Sequence, residues 1–94
     1  MLRLVTIDLK AADLEAFERY EAKVLGLLPK HGGRLDLRVR ALDGATETHL
    51  LDFPSETAFE NFRSDPERLA LSGDWERCGA RSVVQLVERI PRSD

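Results

Sequence analysis

The stretch Thr48–Asp65, THLLDFPSETAFENFRSD, changes its period part-way along and thereby decides the fold class. Leu50, Leu51 and Phe53 suit a largely buried strand. Pro54 ends it, because proline cannot donate to a ladder. Ser55 is placed to cap a helix whose apolar stripe is Ala58, Phe59 and Phe62. Ser64-Asp65-Pro66 then reads as a second cap with proline at the first helical position. A strand that runs directly into capped helices predicts a mixed α+β domain. No catalytic signature lies within it.

Upstream, Leu2–Leu9 (LRLVTIDL) carries apolar residues on both alternation phases, as a central strand covered on both faces does. Ala11–Leu28 reads as a helix with Leu14, Phe17, Glu21, Val24, Leu25 and Leu28 at helical spacing, and Glu21 is expected at the margin of that stripe. Pro29 and Gly32-Gly33 stop it. In Arg34–Ala41, Leu35, Leu37 and Val39 are expected inward, with Arg34, Asp36, Arg38 and Arg40 on a charged outer face, the pattern of an exposed or edge strand. Asp43-Gly44 marks a turn into a strand over Glu47–Phe53.

Downstream, a helical segment is expected from Pro66 to about Arg77, and a last strand, Arg81–Ile90, is again apolar on both phases. The order strand-helix-strand-strand-helix-strand is the split βαβ unit of ferredoxin-like folds. Right-handed crossovers place both helices on one face of a four-stranded antiparallel sheet. The other face would then be open and apolar, which soluble monomers rarely tolerate. A homodimer through that face is the expectation.

Composition agrees with one small domain over residues 1–94. It has 43% apolar residues, 33% charged residues and a net charge of −3. A domain of this size buries roughly 60–68% of its unfolded surface, so a second buried face would matter. The charge gives no general attraction to nucleic acid or to an anionic membrane. RNA-recognition modules share the element order but stack bases on strand aromatics; Leu2–Leu9 has none, and Glu47–Phe53 has only Phe53. No apolar run approaches a membrane span, no signal peptide is read, and a single cysteine, Cys78, points to a reducing, cytoplasmic setting.

His31-Gly32-Gly33-Arg34, Asp52-Phe53-Pro54-Ser55 with Ala58, and Ser64-Asp65-Pro66 together resemble the dimeric α/β-barrel superfamily. Within it, the chain is similar to an uncharacterised small-protein family marked by an H-G-G-R turn and an E-F-P-S strand end, and more distantly to antibiotic-biosynthesis monooxygenases. Asp52 stands where that family usually has Glu, and Arg68-Leu69 stands where an aromatic is common. The resemblance implies a homodimer whose sheets form a barrel, often with a ligand cavity between sheet and helices.

The candidate site residues are His31, Arg38, His49 and Asp52, with a pocket expected near the H-G-G-R turn and the strand ends carrying Asp8 and Asp52. Tyr20-Glu21 and Trp75 are candidates for its other wall. Each has a plain structural alternative. His31 complements a helix C-terminus, His49 fills the core, Arg38 and Asp52 form ion pairs, and Cys78 is a small buried hydrophobe. Asp8, Asp36, Arg40 and Gln85 are further polar strand positions of the same kind.

No His-x-x-x-His, Cys-x-x-Cys, glycine-rich phosphate loop or nucleophile elbow is present, so no cofactor or metal is expected. The expected function is binding of a small, partly apolar metabolite. The alternative is a cofactor-independent monooxygenase or isomerase, with His31, His49 or Asp52 moving a proton and an arginine holding an anion.

Overall fold

The structure, a computed structural model, describes residues 1–92. Strand β1 (Leu2–Asp8) leads to helix α1 (Leu14–Leu25), a 3-10 turn (Pro29–His31), β2 (Arg34–Arg40) and β3 (Thr46–Asp52). Helices α2 (Glu56–Arg63), α3 (Pro66–Leu69) and α4 (Ser72–Cys78) follow, and β4 (Arg81–Val87) completes the sheet. The strand order is β2-β3-β1-β4, with every neighbouring pair antiparallel. This is the expected ferredoxin-like arrangement, with the helices on one face.

The local signals act as their chemistry requires. The Ser55 hydroxyl accepts from the Ala58 amide at 3.1 Å, and the Asp65 carboxylate accepts from the Glu67 amide at 2.8 Å. Asp13 caps α1 by accepting from the Ala16 amide at 3.1 Å, so the helix begins at Leu14 rather than Ala11. The expected segment from Pro66 to Arg77 divides into α3 and α4. Gly33 sits where a Cβ would come within 2.8 Å of the Phe53 ring, so the turn can lie flat on the core only as glycine.

Two apolar clusters form beneath the helices. Tyr20, Val24, Leu28, Leu51, Phe53, Phe59 and Phe62 make one, and Ile7, Leu9, Phe17, Cys78 and Ala80 the other. Val5 and Trp75 pack against both.

Strand phase brings two corrections. Arg3, Val5 and Ile7 of β1 pair with Leu51, His49 and Glu47 of β3, and these rows face the helices. Across β3, Arg38 opposes His49 and Arg40 opposes Glu47, so these arginines lie on the helix-covered face. A register shift between Leu35 and Leu37 reverses the expected assignment. Leu37 and Val39 lie on the open face with Leu50, and remain exposed. The second correction is Glu21, which is not marginal but buried, at 6% exposure.

The open face carries Leu2, Leu4, Leu37, Val39, Leu50, Val83 and Val87. Val83 is 63% exposed and Val39 48%. No helix among the described residues is long and apolar enough to cross a membrane.

Candidate functional site

A cavity of about 620 Å³ opens between the helix-covered sheet face and the helices. Its apolar wall includes Val5, Val24, Leu51, Phe59 and Trp75. Its polar wall includes Arg3, Glu21, His49 and Arg68.

Alternation along β3 aims Glu47, His49 and Leu51 at the helices. Glu47 is 2% exposed and is nevertheless held charged: burial opposes ionisation, but hydrogen bonds from His49, Arg40 and Arg38 outweigh it and lower its pKa. Arg38 Nε donates to it at 2.9 Å and Arg40 Nε at 2.8 Å. Both guanidinium groups also reach Glu18 on α1. The network ties the edge strand β2 to the helix above it.

Glu47 Oε2 lies 2.5 Å from His49 Nε2. A carboxylate only accepts, so the Nε2 proton points at Glu47 and fixes the imidazole's orientation. The other ring nitrogen, Nδ1, is 4.0 Å from Glu21 Oε2, too far for a hydrogen bond. A buried carboxylate holding one side of a cavity-lining imidazole is the arrangement that prepares the other side to take a proton.

Glu21 lies beside it on α1. Burial first, then the nearby Glu47 and Glu18, push its carboxyl up to about 7, against the attraction of Arg38 and Arg68. The consequence for stability has a definite sign. Between the ordinary value of 4.5 and about 7 the folded chain holds a proton that the unfolded chain releases, so stability falls as pH rises through that window. The full cost above it is about 3 kcal/mol. Glu21→Gln should therefore gain about that much relative to wild type between pH 4.5 and pH 8 in urea unfolding. A constant difference between the two proteins across that range would show that Glu21 does not titrate as described.

Of the four candidates read from sequence, His49 alone lines this cavity. Arg38 reaches it indirectly, through Glu47. His31 lies elsewhere: its Nε2 is 2.6 Å from Asp65 Oδ2, and Lys30 Nζ is 2.9 Å from the same oxygen. Lys30, then His31, then the Glu67 amide hold the Asp65 carboxyl well below the usual carboxylate range. The H-G-G-R histidine thus braces the 3-10 turn against the start of α3. Asp52 accepts from Arg34 Nη2 at 2.9 Å on the open face, and that pairing keeps it more acidic than usual. The H-G-G-R turn, Asp8 and Asp52 do not line the cavity, although Ile7 and Leu51 beside those two aspartates do.

Tyr20, Glu21 and Trp75 do form the cavity's far wall, and burial raises the Tyr20 pKa. Sequence reasoning passed over Glu47, Arg3 and Arg68. Glu47 shares the phase of His49 and Leu51, and Arg3 that of Val5 and Ile7. Charged residues in an otherwise inward phase were the available signal. Among the described residues no cluster of potential ligands suits a metal ion.

The fold recurs in solved structures. SnoaB, a cofactor-independent oxygenase from Streptomyces nogalater, superposes with a TM-score of 0.74 at 12% identity, covering 95% of this chain and 94% of that one. An antibiotic biosynthesis monooxygenase gives 0.70 at 15% identity, covering 97% and 100%. The chain shares its ferredoxin-like fold with both. A dimeric ferredoxin-like protein of unknown function from Jannaschia sp. CCS1 shares the fold too, with a TM-score of 0.67 at 14% identity over 93% and 100%. No family model and no curated protein matches the sequence. At such identities the likeness shows the ferredoxin-like fold alone.

Proposed function

We propose that this protein is a homodimer that binds a small, partly apolar metabolite in the cavity between sheet and helices. The lining supports it: Val5, Val24, Leu51, Phe59 and Trp75 surround a few convergent polar groups, the usual composition of a small-molecule site. Its volume lies within the range of about 300–1,000 Å³ common for such sites. The apolar open face supports the dimer, as does the dimeric state of the Jannaschia protein. A cytoplasmic setting belongs to the same reading and is supported by the free, buried thiol of Cys78.

A second reading, cofactor-independent oxygenation or isomerisation, is favoured by the Glu47–His49 pair and by the likeness to SnoaB. His49 would take a proton from an acidic C–H or phenol of the substrate, and Glu47 would stabilise the resulting imidazolium.

Trp75 is the chain's single tryptophan and lies in the cavity wall, so it reports occupancy directly. Titration with the neutral fluorophore N-phenyl-1-naphthylamine should quench Trp75 by energy transfer, saturating at one site per chain. Val84→Phe, at the half-exposed β4 side of the cavity, should weaken that binding about 10-fold. Wild-type affinity in Val84→Phe, or no transfer at all, contradicts the reading. Oxygen uptake with hydroxylated aromatics that disappears in His49→Gln would decide for the enzyme.

A further inference from the structure

Two guanidinium groups in the cavity wall are incompletely bonded. Arg3 is 7% exposed, and its Nε is buried without a hydrogen-bond partner. The Nε of Arg68 is likewise buried and unpartnered. Buried donors of this kind are rare because leaving one unpaired is costly, and most so for a charged group. Each is held in place by an aromatic ring of α2: Arg3 lies 4.1 Å from the Phe59 ring centroid and Arg68 lies 5.3 Å from that of Phe62. Phe59 and Phe62 are three residues apart, so one helix presents both cations to the same cavity.

From this arrangement we infer that the ligand is an anion, a carboxylate, sulfonate or phenolate on an apolar body, seated against Arg3 and Arg68. The inference rests on the cavity reading above and adds the ligand's charge to it.

The neighbouring acids leave room for such an anion. Glu56 meets one Nη of Arg3, but its side chain is 51% exposed and it leaves Nε free. Glu60 sits 3.7 Å from Arg63 at the rim. Arg68 spends one Nη on the Arg63 carbonyl at 3.2 Å. Glu21, on the inner wall, has its carboxyl pushed up to about 7 and so carries only part of a charge at neutral pH. An incoming anion would pair with the guanidinium charge that the exposed Glu56 and the neutral Arg63 carbonyl leave largely uncompensated, and its apolar body would lie on Val5, Leu51 and Trp75.

The test compares 8-anilinonaphthalene-1-sulfonate with the neutral N-phenyl-1-naphthylamine, both read by energy transfer from Trp75. The sulfonate should bind about 10-fold or more tighter. Arg3→Met and Arg68→Gln should each remove about 10-fold of that affinity while leaving the neutral probe within about twofold of wild type. Arg68 is partly exposed, so Arg68→Gln carries the test even where Arg3→Met folds poorly. Equal binding of the two probes, or sulfonate binding indifferent to both substitutions, overturns the anion inference and leaves the cavity reading intact. If neither probe binds, the cavity reading fails and the inference fails with it.

Discussion

Replacing Glu47 by alanine is expected to cost the fold about 3–5 kcal/mol, the range for removing one partner of a buried ionic network. Glu47 is 2% exposed and is the shared acceptor for Arg38, Arg40 and His49. Without it, two guanidinium groups on the helix-covered face keep only Glu18, and the imidazole loses its orienting bond. Glu47→Gln should fall between the two proteins, because the amide keeps the shape but carries no charge. Urea unfolding of the three proteins checks the order. A Glu47→Ala chain within about 1 kcal/mol of wild type would show that the network contributes little beyond what solvent supplies.

The second large effect concerns the open face. Leu4 lies on central β1, directly opposite Leu50 on β3 and Gln85 on β4. In a two-fold dimer through this face, each substitution enters the interface twice. Leu4→Glu or Leu50→Glu would bury unpaired carboxylates at several kcal/mol each, enough to prevent association. Light scattering should move from twice the chain mass of 10.6 kDa to that mass itself, or to aggregate. Two cleanly dimeric variants would place the interface on another surface.

The ferredoxin-like order was legible because short-range chemistry carries it. Ser55 and Asp65 each accept from a backbone amide two or three residues ahead, and such contacts need only local sequence. Apolar residues on both phases suited β1 and β3 to the centre of the sheet, but β4 carries the same pattern at an edge, so the pattern alone does not fix position.

The β2 strand was not. Its alternation is equally regular read either way, and the register shift between Leu35 and Leu37 decides which phase meets the helices. That one irregularity turns Arg38 and Arg40 from surface charges into the partners of a buried glutamate. The site suffered from the same limit. Glu21 and Glu47 come from different elements, and the Arg38 charge that acts on both reaches them only when the sheet and α1 are packed together. His31 was misleading for a related reason: its partner, Asp65, lies 34 residues away and serves as the cap of α3.

The central claim, that small molecules bind between sheet and helices, is tested most directly by amide chemical-shift mapping with N-phenyl-1-naphthylamine. Saturable shifts are expected, concentrated at Val5, His49, Leu51, Phe59 and Trp75, all in the cavity wall. Shifts confined to Leu4, Leu37, Val39 and Val83 on the open face, or no saturable shifts at all, would contradict it.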